Sequence, residues 1–227
     1  RAWDLVADTW SVAPRAARDN AALRAEPAGR YIYIPSGSVY AGPLAIGRDE
    51  SAPSVEAHPD APQTDYAADK RGSELAISAA FGERALLARA GLILGPYEDV
   101  GRLLWWLNRM AAGGEVLAPG PPELPLELID VRDLARFVLD AAPAGLGGPV
   151  NVVSRRGHAT MASLLEACRR VAGTADTRLQ WVAPELIARA EIEPWTDLAP
   201  ARSRVRGAAR RRHRTRACGR PTLPPRV

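Results

Sequence analysis

The chain has 227 residues, 47% hydrophobic and 25% charged, enough for one sizeable globular unit with a substantial core. No apolar run approaches the ~18 residues of a membrane span, and neither a basic n-region nor an h-region opens the chain, so a cytoplasmic protein is expected. The net charge of +4 divides unevenly: residues 201–227 hold ten Arg and no acid, leaving 20 basic against 26 acidic residues in 1–200, a net of −6. An acidic body argues against a nucleic-acid-binding domain, whatever the overall pI of about 9.5 suggests.

Residues 3–9 form a short apolar stretch ending in polar residues, the pattern of a strand. Residues 13–25, rich in Ala and Arg, predict a helix. Residues 31–34, Tyr-Ile-Tyr-Ile, are aromatic and β-branched, a buried strand that runs straight into Pro35-Ser36-Gly37-Ser38. A Pro- and acid-rich loop extends to about Thr64, which is expected to cap a helix carrying Tyr66, Lys70, Glu74 and Ile77. Residues 84–89 predict a second buried strand, followed by Gly91 and Gly95-Pro96. A helix with Trp105 and Trp106 stops at Gly113-Gly114, and the two indoles are expected to pack a lobe.

Residues 126–129 predict a strand. Asp130 is expected to cap the next helix and, with Arg132 and Asp133, to tether it. Residues 150–153 predict a further strand, and Thr160 a cap for the helix Met161–Ala172. Beyond 201 the apolar periodicity ends, and 201–227 reads as a disordered Arg-rich tail. Strands alternating with helices at this spacing predict an α/β parallel sheet with helices on both faces. Ligands bind such sheets beyond the carboxyl ends of the strands, where Thr9, Ser36 and the turn 90–92 fall.

Lys70 is the only lysine in the chain, against twenty-nine arginines. A composition that substitutes Arg almost everywhere has kept the compact, flexible ammonium at one position, four residues after Tyr66. Residues i and i+4 share a helix face, so phenol and ammonium meet at one small site. A phenol near pKa ~10 is a poor base at neutral pH, and an adjacent cation is the simplest remedy. Ser36, at a strand end, completes a plausible proton relay. The serine-hydrolase elbow is disfavoured, because no Gly stands two residues before Ser36. Cys168 and Cys218 are isolated, and His58, His158 and His213 are scattered, so no metal site is expected.

The ordered series Tyr-Ile-Pro-Ser-Gly-Ser-Val-Tyr (33–40), Tyr-x-x-x-Lys-x-x-x-Glu (66–74), Leu-Ala-Arg-Ala-Gly-Leu-Ile-Leu-Gly-Pro (87–96), Ile-Asp-Val-Arg-Asp-Leu-Ala (129–135) and Val-Asn-Val (150–152) resembles the extended short-chain dehydrogenase/reductases. It is most similar to their NAD-dependent epimerase/dehydratase branch, which acts mostly on nucleotide sugars, and covers about residues 3–200. The resemblance implies a Rossmann-like domain over 1–200, with an intermixed substrate lobe from about 97. It implies hydride transfer with NAD or NADP on a nucleotide sugar or similar substrate. Tyr66 would be the general acid/base, Lys70 would stabilise its phenolate and hold the nicotinamide ribose, and Ser36, four residues before Tyr40, would bind the substrate oxygen.

Thr9, Ser36, Tyr66, Lys70, Ala90 and Leu92 would then line the cofactor, and Ser38, Arg102 and Arg109 the substrate; either arginine could meet a diphosphate, although a solvated helix face is the preferred reading of both. A homodimer of the intact protein is compatible with it.

Three departures from the family pattern stand out. No G-x-G-x-x-G follows a strand, and the series opens where the family's fourth strand would, so roughly seventy residues carrying the pyrophosphate-binding turn are expected to precede it. Ala90 stands where Pro is usual, and Pro35 where Ser is usual. The Arg-rich tail reads like another reading frame of GC-rich DNA. The alternatives are an atypical member of the superfamily that binds RNA without redox catalysis, or an inactive fragment. The chain alone is expected to hold NAD(P) more weakly than ~1 mM.

Overall fold

The computed structural model describes residues 2–42, 47, 49–98 and 100–192; the Arg-rich tail, Cys218 and His213 lie outside them. In chain order the elements are β1 (Trp3–Asp8), α1 (Pro14–Arg24), β2 (Ala28–Tyr33), α2 (Tyr66–Phe81), β3 (Ala85–Ala90), β4 (Leu92–Leu94) and α3 (Arg102–Ala111). There follow β5 (Glu115–Pro119), β6 (Leu128–Asp130), α4 (Val131–Ala141), β7 (Gly148–Val152), α5 (Met161–Ala172), β8 (Arg178–Val182) and α6 (Pro184–Arg189). Among the described residues the main sheet has the order β1-β2-β3-β7, all parallel, with β1 at its edge. Two smaller parallel pairs, β4–β6 and β5–β8, accompany it.

Strand periodicity explains the two layers. Side chains alternate across a sheet, so Tyr31, Tyr33 and Leu87 pack with Ala17 and Ala21 of α1 and Ile77 and Phe81 of α2. Ile32, Leu86 and Ala88 point the other way, against Leu134 and Val138 of α4. β3 is buried at all six positions, as a strand covered on both faces must be. Burying each such large apolar side chain stabilises by about 1.5–3 kcal/mol. A third cluster, including Trp106, Met110, Val116, Leu165 and Cys168, joins α3, β5 and α5 into a lobe. Trp105 and Trp106 meet edge to face at 4.5 Å, the packing role expected of them.

α1 begins with Pro14 at its first position, where the missing N–H costs nothing. Against it lies Gly72 of α2, an unfavourable residue in a helix interior. A Cβ there would sit 2.7 Å from Pro14 Cγ and 2.7 Å from the His58 carbonyl oxygen, so the close approach of the two helices requires glycine. The approach matters because α2 carries Tyr66 and Lys70.

Several expectations need correction. Asp65, not Thr64, caps α2: its carboxylate accepts from the N–H groups of Ala67 and Ala68 at 3.0 Å. Thr64 instead donates through both its N–H and its hydroxyl to Asp69, each at 2.8 Å. An Asp one residue nearer the helix wins the cap, because a charged acceptor binds the free N–H groups more strongly. The strand expected at 126–129 lies at Leu128–Asp130, since the Leu126 N–H is taken by the Ala159 carbonyl at 3.0 Å. The strand expected at 84–89 lies one residue later, at Ala85–Ala90.

Three strands, β4, β5 and β8, and helix α6 have no counterpart in the predicted elements. β5 pairs with β8 across more than fifty residues of chain, a partnership that no local pattern announces. Among the described residues no helix is long and apolar enough to cross a membrane.

Candidate active site at the carboxyl edge of the sheet

The register of the main sheet brings the expected positions to one edge. Asp8 pairs with Tyr33, and Tyr33 with Leu87, so β1 and β2 end level with one another while β3 runs on to Ala90. Beyond them Ser36 forms a parallel bridge with Ala90, which in turn pairs with Val152 of β7. Ala90 is buried, and Leu92 opens β4 by donating its N–H to the Glu127 carbonyl at 2.8 Å. Between them Gly91 has no space for a side chain: a Cβ would lie 2.5 Å from the Glu127 carbonyl oxygen. Thr9 is exposed at the end of β1, and its carbonyl accepts from the Ser11 hydroxyl at 3.2 Å.

Ser36 is extended, at φ −150° and ψ 154°, and caps the short 3-10 turn Gly37–Val39. Its Oγ accepts from the Ser38 N–H at 3.2 Å and donates to Ser38 Oγ at 3.1 Å. The two hydroxyls are therefore linked, with Ser38 the more exposed.

α2 presents its first turn to the same edge. Tyr66 is the first helical residue and is 53% exposed, whereas Lys70 is 3% exposed. The Lys70 Nζ donates to the Trp10 carbonyl at 2.8 Å and to the Ile34 carbonyl at 3.1 Å. It lies 5.1 Å from the Tyr33 ring centroid and 6.0 Å from that of Tyr66. Two of its three donors thus hold the strand ends of β1 and β2. Burial pushes the Lys70 ammonium down to about 8, and the Asp8 carboxylate opposes that shift.

Beneath this layer lies a charged pair that the sequence reading did not identify. Glu74 is fully buried and accepts two bonds from Arg89, Nε to Oε1 at 2.8 Å and Nη2 to Oε2 at 2.9 Å, and one from Arg71 at 2.8 Å. Burial works against the Arg89 charge, but the bonds to Glu74 outweigh it and raise its pKa. The Arg89 guanidinium also lies 4.7 Å from the centroid of the Tyr40 ring, whose hydroxyl donates to Asn151 Oδ1 at 2.6 Å. This network fastens α2 to β3, to β7 and to the segment following Ser36. Its signal was the Glu at i+4 from Lys70 within 66–74. Asp8 and Trp10, which flank Thr9, are likewise part of the site though not singled out.

The remaining candidates lie elsewhere. The Arg109 guanidinium is turned back onto the Gly113 carbonyl at 2.9 Å and the Glu115 carbonyl, closing the end of α3. The Arg102 N–H donates to Glu98 Oε1 at 2.6 Å, and its side chain is half-buried with Nε unpartnered. Asp130 accepts from the Arg132 N–H at 2.8 Å and from its guanidinium, which holds the carboxyl at about 2. It caps and tethers α4 as expected. A cleft of about 290 Å³ lies in the lobe between Pro119 and Gly120 at the end of β5 and Pro184, Ile187 and Ala188 of α6. None of the candidate residues lines it. Among the described residues no group of His, Cys, Asp and Glu could hold a metal ion.

Comparison with known proteins adds to this geometry. The model of the family described as "NAD dependent epimerase/dehydratase family" matches residues 16–153. No curated protein matches the chain. Among solved structures, a dTDP-4-dehydrorhamnose reductase ortholog from Clostridium acetobutylicum is similar at 16% identity and TM-score 0.62, over 75% of this chain and 56% of that one. A UDP-glucose 4-epimerase from Thermotoga maritima, solved with UDP-glucose, is similar at 19% identity and TM-score 0.58, over 80% and 64%. A UDP-glucuronic acid 4-epimerase from Bacillus cereus, in complex with NAD, is similar at 15% identity and TM-score 0.56, over 70% and 51%. The likeness is one of fold, and the chain spans 51 to 64% of the length of these three proteins.

Proposed function

Because the chain belongs to the NAD dependent epimerase/dehydratase family, we propose that it forms the catalytic part of an NAD(P)-dependent enzyme that oxidises a carbinol of a nucleotide sugar and reduces the corresponding carbonyl. The observation that carries the reading is the arrangement on α2: an exposed Tyr66 phenol with the chain's only ammonium one helical turn below it, 6.0 Å from the ring, at the carboxyl edge of a parallel sheet. The donor set fits the nicotinamide-ribose end of a cofactor. Lys70 has one donor beyond the two given to carbonyls, and Thr9, the residue before Trp10, stands exposed past the end of β1. Ala90 and Leu92 would line the same end, and Ser38 the substrate side of Ser36. A bound nicotinamide supplies the hydride acceptor and donor.

The remaining chemistry belongs to the chain's own residues. In the oxidative direction Ser36 Oγ orients the substrate hydroxyl. Tyr66, as phenolate, takes the hydroxyl proton while the carbinol C–H leaves with its electron pair as hydride. Lys70 stabilises the phenolate by its charge. The reductive direction reverses each transfer, and Tyr66 then donates the proton. The Glu74–Arg89 pair keeps α2 seated while these charges change. Arg102, with its Nε unpartnered, is the better candidate of the two arginines for a substrate diphosphate, since Arg109 already serves its own helix end.

The test uses the intact protein with a panel of UDP- and dTDP-hexoses and either nicotinamide cofactor. Hydride transfer is followed by nicotinamide absorbance, and the sugars by chromatography. Lys70→Arg should impair turnover although the charge is kept, because the planar guanidinium cannot occupy the space between phenol and ribose. Normal turnover in Lys70→Arg would overturn the assignment.

A further inference from the structure

We propose that Asp8 is a positioning residue for Lys70: through the turn 8–10 it aims the Trp10 carbonyl at the ammonium, and it supplies the counter-charge that keeps the buried amine protonated. The inference rests on the role assigned to Lys70, but its test reads Lys70 directly.

Three observations converge on Asp8. Alternation along β1 turns Val6 and Asp8 toward the layer of α1 and α2, where Val6 packs beside Tyr31 and Tyr33. Asp8 Oδ1 then accepts the Trp10 N–H at 2.8 Å, closing a tight turn just past the strand. That turn fixes the Trp10 carbonyl, which accepts both Lys70 Nζ at 2.8 Å and Tyr33 Oη at 2.9 Å. Its other oxygen, Oδ2, accepts from Tyr31 Oη and from Asn20 Nδ2, the latter at 3.3 Å. Asn20 also donates to Tyr31 Oη at 2.6 Å, so α1 and β2 both hold the carboxylate in place. The Trp10 indole is pinned as well, donating to the Ala13 carbonyl at 3.1 Å.

The charge matters as much as the shape. Two neutral carbonyls satisfy two of the three Lys70 donors but carry no net charge. The titratable groups facing the ammonium are Asp8 from β1, Tyr33 from β2, and Tyr66 and Glu74 from its own helix. The charge of Glu74 is already matched by Arg89 and Arg71. Burial raises the pKa of the Tyr33 phenol and so holds it neutral. Asp8 is therefore the one uncommitted negative charge among them, and its electrostatic effect on Lys70 is to favour the protonated form. Protonated Lys70 is the form needed beside the Tyr66 phenolate.

The chain's composition makes this measurable without substrate or cofactor. Lys70 is the only lysine, so protein made with ¹³Cε/¹⁵Nζ-lysine gives a single side-chain signal, whose pH titration reports this amine alone. The wild-type midpoint is expected near 8. Asp8→Asn retains the acceptor for the Trp10 N–H and removes the charge. It should lower the proton affinity of Lys70 by roughly three- to tenfold, a downward shift of about half to one pH unit. Asp8→Glu, which restores the charge on a longer arm, should recover part of that shift.

An unchanged midpoint in Asp8→Asn, with the amide spectrum of the folded protein intact, would overturn the proposal. If Asp8→Asn does not fold, the wild type decides: acid titration should displace the Lys70 signal as carboxylates take up protons, and a signal indifferent to acid would overturn it. Failure of the catalytic reading is recognised separately, by normal turnover in Lys70→Arg.

Discussion

Lys70 and Glu74 lie one turn apart on α2 and are both buried, at 3% and 0% exposure, yet they are partnered in opposite ways. Glu74 has two guanidinium groups on its carboxylate, Arg89 bidentate and Arg71 from the side. Lys70 has two backbone carbonyls and a carboxylate at second remove. The fully paired charge is inert and fastens the helix to β3. The ammonium left without a direct ion pair keeps its charge labile and its third donor available, which suits a group that must answer a phenolate. On the proposed function, the end of this helix near the sheet edge serves the chemistry and the next turn its placement.

The comparison breaks first at Tyr66. Tyr66→Phe removes only the ionisable hydroxyl, so turnover of the intact enzyme should fall by about 10²–10⁴, the usual worth of a positioned proton-transfer group. Cofactor affinity should stay within a few fold. Steady-state kinetics beside calorimetric titration would decide, and wild-type turnover would refute the assignment.

The placement half is tested at Glu74. Glu74→Leu strands Arg89 as a buried unpaired charge and should cost about 3–5 kcal/mol in urea unfolding. The double variant Glu74→Leu/Arg89→Met should recover much of that loss, because replacing both members of a buried pair is nearly neutral. Equal instability of the single and double variants would mean that the pair serves through its hydrogen bonds rather than its charge.

Lys70→Met sharpens the contrast through pH. The folded-state pKa of Lys70, about 8, lies below its ordinary 10.5, so the unfolded chain binds the proton more tightly. Below pH ~8 both states are protonated and burial of the charge costs its full amount, roughly 3 kcal/mol. Between pH ~8 and ~10.5 the folded protein has released a proton that the unfolded chain retains, so stability rises with pH. That rise should be absent in Lys70→Met. Tyr31 and Tyr33, both raised mainly by burial, act in the other sense and only at the alkaline end. The difference between the two urea-stability profiles therefore isolates Lys70.

The smallest effect concerns how the helix begins. Asp65→Ala removes the acceptor for two N–H groups at the start of α2 and should cost about 1 kcal/mol in thermal unfolding. It should lower turnover less than Tyr66→Phe does, since packing on α1 still seats the helix.

The catalytic candidates were legible because their signals are local. A lone lysine at i+4 from a tyrosine, a Ser after a Tyr-Ile-Tyr-Ile strand, and Asp or Thr before an apolar helix can each be read within a few residues of chain. Helix α1, the cap at Asp130 and the cap at Thr160 followed in the same way. Thr64 was misjudged because two adjacent residues could both cap, and only their hydrogen bonds separate the one facing the helix from the one facing Asp69.

What only the tertiary structure decided is everything that depends on distant chain meeting. β5 and β8 are ordinary-looking pentapeptides until they pair with each other, and Arg89 is one arginine among twenty-nine until β3 carries it onto Glu74. Arg109 could equally have faced a ligand, but the turn after α3 folds two carbonyls under it. Trp10 and Asp8 entered the site through a backbone carbonyl and a two-residue turn, groups that every sequence contains and none advertises. Residue type and spacing select the chemistry a short segment can perform. Which carbonyl, carboxylate or guanidinium stands opposite is settled only by strand register and helix packing.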